Sequence, residues 1–153
     1  MIINEGIVKS GISRMLYQYY GKEYDIIKET MPQGFEKKTF TIQRILSTRK
    51  KGLMDRYYQT YNFVISYYTE DDFKGEIKAE LDEKLEELYL LFKYIEIKDN
   101  EGNTALLQVS EINGEVVDDI LRVNLTTKAR IGIVEDKDKI RNLKIYEKIK
   151  EEI

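Results

Sequence analysis

The stretch RYYQTYNFVISYY, Arg56 to Tyr68, constrains the fold more than any other part of the chain. Every second residue gives Tyr57, Gln59, Tyr61, Phe63, Ile65 and Tyr67 on one side. The other side carries Tyr58, Thr60, Asn62, Val64, Ser66 and Tyr68. One side is strongly apolar and the other mixed, which is the period of a half-buried β-strand. Tyrosine and β-branched residues suit such a pleated surface, and five of the chain's 12 tyrosines fall here. TFTIQRIL alternates in the same way from Thr39 to Arg44, with Phe40 and Ile42 on one side. Between the two lies STRKKGLMDR, Ser47 to Arg56, polar and basic with Gly52 at its middle. The two flanking strands are predicted to form a long hairpin.

Helical spacing marks the regions before and after. Asn4 is placed to cap a first helix whose face carries Val8, Ile12, Met15, Leu16 and Tyr19, with Gly21 at its stop. YDIIKETM, Tyr24 to Met31, reads as a short strand ended by the turn Pro32 to Phe35. In DDFKGEIKAELDEKLEELYLLFKYIEI, the residues Phe73, Ile77, Leu81, Leu85, Leu88, Phe92 and Ile95 step by threes and fours. That predicts one continuous helix, capped by Asp71 or Asp72. From Glu70 to Glu87 it carries nine acidic and three basic residues, so its outer face is negative. KDNEGN closes it as a loop. ALLQVSEI then meets Asn113-Gly114, a strong hairpin signal. GEVVDDILRVNLTTKARIGIV alternates through Leu121, Val123 and Leu125 to Ile131 and Ile133. A last helix is expected from about Lys137, with Ile140, Leu143, Tyr146, Ile149 and Ile153 on one face. No linker or repeat interrupts this order, so residues 1–153 are expected to form a single domain. The fold class is α+β, a mostly antiparallel sheet with a long β-hairpin and helices packed on one face.

Composition excludes several functions. The net charge of −3 is wrong for a globally basic nucleic-acid binder, though it leaves room for a local basic patch. The chain has no cysteine, so disulfides and thiolate chemistry are out. It has no histidine either, which removes the commonest general base and metal ligand. No apolar run is long enough to span a bilayer, and Glu5 interrupts the N-terminal apolar stretch, so no secretion signal is read there. No glycine-rich phosphate loop, nucleophile elbow or metal spacing is present. The residues themselves read as a domain with interaction surfaces and no recognisable active site.

Three features remain. Glu70, Asp71 and Asp72 could hold a divalent cation or do acid–base work. Against that, Asp71 and Asp72 suit the positive start of a helix, and no second ligand set accompanies them. The basic residues Arg49, Lys50, Lys51 and Arg56, preceded by Lys37, Lys38 and Arg44, admit three readings. They form a solvated hairpin tip, a docking arm for an acidic surface such as the negative helix of a neighbouring copy, or a nucleic-acid contact. The tyrosines are the third feature. Tyr57, Tyr61 and Tyr67 belong to the core, whereas Tyr58 and Tyr68 lie on the opposite face, where tyrosine favours protein contacts. Aromatics on both faces suggest that another subunit covers the second one. The candidate interface is therefore Arg49, Lys50, Lys51, Arg56, Tyr58 and Tyr68.

Taken together, INEGIVKSGISRMLYQYYG, YDIIKETMPQGFEKKTFTIQRI with its Gln33-Gly34 turn, RYYQTYNFVISYY and AELDEKLEELYLLFKYI resemble a known family. They are similar, in order and spacing over residues 3 to about 95, to tail terminator (tail completion, tail-to-head joining) proteins. Those belong to long-tailed phages and tail-like particles of Gram-positive bacteria. Lys38 stands where members often carry proline, and the last third of the chain fits only loosely. The resemblance implies a structural virion protein that forms a ring, usually a hexamer, on the head-proximal end of the tail tube. Such a ring stops tube growth and meets the neck or head, or the last sheath ring in a contractile particle. The implied partners are further copies of the chain, the tube protein, and a neck, connector or sheath protein. The resemblance implies no enzyme activity, no cofactor and no membrane, and DNA only as cargo passing through the lumen where a head exists. The implied location is a virion or tail-like particle assembled in the host bacterial cytoplasm. Two rivals stand beside this reading. One is a nucleic-acid-binding accessory protein using the 49–56 loop. The other, weaker, is a carboxylate-metal enzyme at Asp71 and Asp72.

Overall fold

The computed structural model describes residues 3–28, 38–69 and 74–132. In chain order these form helix α1 (Glu5–Tyr20), strands β1 (Asp25–Ile27), β2 (Thr39–Lys51) and β3 (Arg56–Tyr68), helix α2 (Lys74–Leu91), and strands β4 (Tyr94–Lys98), β5 (Thr104–Val117) and β6 (Ile120–Gly132). The strands make one sheet in the order β1-β2-β3-β6-β5-β4. Every pairing is antiparallel except β1 with β2, which is parallel. The result is an α+β molecule, mostly sheet, whose mixed six-stranded sheet curls as a half-barrel.

β3 lies at the centre of this sheet because its alternation is satisfied on both sides. Tyr61, Phe63, Ile65 and Tyr67 are buried, next to Phe40 and Ile42 of β2 and Leu121, Val123 and Leu125 of β6. The inward residues of both helices, Val8, Ile12 and Leu16 of α1 and Ile77, Leu81 and Leu88 of α2, join the same apolar cluster. Each such side chain contributes about 1.5–3 kcal/mol by leaving water. Tyr57, read from the sequence as core, is only half-buried, because it lies near the end of the ladder, beyond the described apolar cluster.

α1 holds the curl in place by touching both edges of the sheet, β4 on one side and β1 and β2 on the other. Its start is fixed by Asn4, whose side-chain oxygen accepts the Ile7 N–H at 2.9 Å. Its end is Gly21, at φ 78. Against β4 the approach is close: a Cβ on Gly11 would sit 2.6 Å from the Glu96 carbonyl oxygen. Arg14 Nη2 donates to that same oxygen at 3.0 Å. Toward the other edge, Glu5 pairs with Arg44 at 3.1 Å and Lys28 Nζ donates to Ser10 Oγ at 3.0 Å. Tyr19 does not join the buried stripe and is 55% exposed. The four-residue step from Leu16 leads instead to Tyr20, whose ring packs 4.7 Å from Phe40 and 5.1 Å from Tyr24.

Three further expectations change. Ser47 to Arg56 is not a loop: Ser47–Lys51 continue β2, Arg56 begins β3, and only residues 52–55 turn. The second helix stops at Leu91, and Tyr94–Lys98 is a strand. Its Ile95 and Ile97 are buried while Tyr94, Glu96 and Lys98 are exposed, so a period of two wins once β5 offers a ladder. Asn113-Gly114 is not a turn but lies inside β5. The chain reverses at Asp118-Asp119, both at positive φ (52° and 61°), with Val117 facing Ile120. Gly114 is explained by packing, since a Cβ there would overlap Leu85 Cδ1. Of the predicted strand at Tyr24 to Met31, Asp25–Ile27 is a strand. The Pro32–Phe35 turn, the Asp71 or Asp72 cap, Ile133 and the helix from Lys137 lie outside the described residues.

Gly11→Ala is expected to destabilise the protein by about 1–3 kcal/mol despite alanine's better helix propensity, because the methyl group meets backbone rather than a movable side chain. Urea unfolding measures it; unchanged or raised stability would show that α1 does not need this close approach.

Candidate functional site

The feature that most resembles a working surface is the far end of the β2–β3–β6 ladder. β5 accompanies β6 only as far as Val109 opposite Thr127. Beyond that point β3 is the described neighbour of β6, from Lys128 opposite Thr60 to Gly132 opposite Arg56. At about 3.3 Å per residue, those five pairs carry the tip about 17 Å past the last β5 contact. The ladder therefore ends in a three-stranded arm.

Register sorts the arm's cations onto two faces. Tyr58 stands between Lys50 of β2 and Arg130 of β6, with Thr60 beside Lys128, and Arg56 two residues away on the same face. The Arg130 guanidinium lies 5.7 Å from the centre of the 41%-exposed Tyr58 ring. Four cations thus surround one exposed tyrosine. The other face carries Arg49, Lys51, Tyr57 and Gln59. There Arg49 Nε donates to Gln59 Oε1 at 2.8 Å and its guanidinium lies 5.8 Å from the Tyr57 ring centre, while the Gln59 amide donates to Ser47 Oγ. Asp55, in the turn, is the one carboxylate on the arm's described segments, residues 47–60 and 128–132. The turn also holds two apolar side chains in the open, Leu53 at 85% and Met54 at 91% exposed. Met54 and Asp55 both have positive φ, 54° and 58°.

Of the residues singled out from the sequence, Arg49, Lys50, Lys51, Arg56 and Tyr58 come together on this arm, divided between its faces. Tyr68 does not join them. It is half-buried at the opposite end of β3, between Thr39 and Ile120. Arg44 and Lys38 are taken up by ion pairs with Glu5 and Glu80, and Lys37 lies outside the described residues. Lys128 and Arg130 escaped the sequence reading because a strand's charges gain meaning only from the strand beside it. Leu53 and Met54 were passed over as part of a polar connection, although two adjacent large apolar residues at a turn are a visible signal.

α2 carries the opposite charge. Glu76, Asp82, Glu83 and Glu86 are exposed on it. Its inward polar residues have internal partners instead. Glu80 accepts from Tyr67 Oη at 2.7 Å, from Thr69 Oγ1, and from Lys38 Nζ at 2.7 Å. Burial works against its charge, but the hydrogen bonds from Lys38, Thr69 and Tyr67 outweigh burial and hold its pKa at about 2. Lys38 thus fastens the start of β2 to α2. Lys84, 8% exposed, lies 5.2 Å from the ring centres of both Tyr20 and Tyr24 and 5.8 Å from that of Tyr67, with Glu87 at 3.5 Å. Burial opposes its charge too, yet Tyr24 and Glu87 leave its pKa raised. Burial, and then Glu87, raises that of Tyr20. These groups tie the end of the β2–β3 ladder opposite the arm to the helices. Among the described residues no three acidic side chains are grouped to hold a metal ion. Nor is any described helix long and apolar enough to cross a membrane.

Residues 7–152 match a family model described as phage tail terminator protein. The match therefore runs through the last third of the chain, where the sequence resemblance was loose. No curated protein matches the chain.

The Glu80 carboxylate, with a folded pKa below its ordinary 4.5, stabilises the protein above about pH 4.5, and that contribution is lost as pH falls toward about 2. Glu80→Gln is expected to cost on the order of 2 kcal/mol at pH 7 and little near pH 2. Urea unfolding at both pH values checks this; an equal difference at both would remove the charge from the explanation.

Proposed function

The chain belongs to the phage tail terminator family, and from that premise we propose that its copies close into a ring of six on the head-proximal end of the tail tube. The family's role in tail completion is structural rather than catalytic. In our reading each subunit is one domain, and the ring stops tube polymerisation. Its upper surface receives the neck or, in a contractile particle, its flank meets the last sheath ring. DNA leaving a head crosses the lumen without being recognised. The particle is assembled in the host cytoplasm.

One observation carries the proposal: a cationic arm and an anionic helix stand on the same small chain. A closed ring needs a heterologous interface, one patch of each subunit against a different patch of the next. Opposite charges on the two patches favour that pairing over arm against arm or helix against helix. The arm supplies the first patch, with Lys50, Arg56, Tyr58, Lys128 and Arg130 on one face and Arg49 and Lys51 on the other. Glu76, Asp82, Glu83 and Glu86 supply the second. Tyr68 stands apart from this contact.

Particles made without the chain should carry tubes of variable, excessive length under the electron microscope; tubes of normal, uniform length would overturn the terminator reading for this protein. Reversing Lys50, Arg56, Lys128 and Arg130 to glutamate should abolish self-association while leaving the thermal melting point within a few degrees, since these residues are exposed or at the ladder's end. Light scattering reads the outcome, and unimpaired association would rule the arm out as the contact.

A further inference from the structure

The exposed apolar tip of the arm has no role in the charge pairing. Met54 and Asp55 hold left-handed conformations that side chains avoid. That conformation closes the reversal between β2 and β3, where the Arg56 N–H donates to the Leu53 carbonyl at 3.3 Å, and it leaves Leu53 and Met54 in solvent. Elsewhere on the same chain is an open hollow of about 320 Å³ with a mixed lining, between the C-terminal turn of α2 and the bulged part of β5. Tyr89, Phe92, Tyr94, Val109 and Ile112 give it apolar walls, and Lys93, Gln108, Ser110 and Glu111 line it too. Leu90, 70% exposed, follows Tyr89 in the same helical turn.

We propose that Leu53 and Met54 of one copy seat in this hollow of the next copy. The inference rests on the ring reading and gives that ring its lock. Charge places the partner. Asp82, Glu83 and Glu86 precede Tyr89 and Leu90 by one to two helical turns, about 5–11 Å along α2. On the arm, Lys50 and Arg56 stand two or three residues from the tip, about 7–10 Å. With the tip in the hollow, the cations reach the acidic stretch of α2. The two apolar side chains give the contact a desolvated centre, and the charges form its rim. Each copy has one tip and one hollow, so the contact runs head to tail and is not self-complementary.

The chain lacks cysteine, so introduced thiols report contacts without background. Met54→Cys protein mixed with Ser110→Cys protein, Ser110 being an exposed residue of the hollow, should give a disulfide-linked dimer on mild oxidation. Met54→Cys mixed with Ser10→Cys, on the far groove beside α1, should give none above background. Leu53→Asp with Met54→Asp should raise the concentration needed for association at least about tenfold with an unchanged melting point. Rings that form without the Met54–Ser110 link overturn the lock and leave the ring standing. Equal linking to both cysteine positions likewise overturns the lock. A protein that stays monomeric at high concentration and yields no link overturns both.

Discussion

The structure depends on α1 lying across both edges of a curled sheet. A six-stranded half-barrel has two open edges, and each exposes unpaired backbone groups that invite uncontrolled pairing. Here one helix meets both. Gly11 lets it approach β4, Arg14 occupies the Glu96 carbonyl, and the Glu5–Arg44 and Lys28–Ser10 contacts fasten the opposite side. With those edges engaged, the proposed association falls elsewhere. The part of the sheet that projects is the β2–β3–β6 arm, whose charges and apolar tip can be specific in a way that bare strand edges cannot.

The ionisable residues divide accordingly. Those facing inward are matched one to another: Glu80 with Lys38, Thr69 and Tyr67, and Lys84 with three tyrosine rings and Glu87. A buried charge without such partners would cost several kcal/mol. Of those facing outward, cations predominate on the arm and carboxylates on α2. A net charge of −3 hides this separation completely. It is the separation, not the total, that bears on the proposed ring.

How much of this was legible beforehand varied with the range of the interaction. The β3 alternation and the Asn4 cap are local and were read correctly. Ile95 fitted a helical stripe and a strand equally well, and the choice was made by β5, which the helical count cannot see. Asn113-Gly114 carried a turn signal that is real in isolation; here Gly114 is present because Leu85 of α2 lies over it, a contact between residues far apart in sequence. The arm was half visible. Its first strand announced Arg49, Lys50, Lys51 and Arg56, but the sorting of these onto two faces, and the arrival of Lys128 and Arg130 beside Tyr58, follow from strand register. Tyr68 was grouped with Tyr58 on parity alone. Twelve-odd residues of strand length, roughly 30 Å or more, keep the two ends of β3 apart.

The central claim is that this chain acts by joining copies of itself, arm against α2, around the end of a tube. Electron cryomicroscopy of a capped tube end addresses it directly. The account predicts a closed ring of this chain with every arm in the seam between neighbouring subunits. Arms pointing into solvent, or single subunits bound to the tube without touching one another, would contradict it.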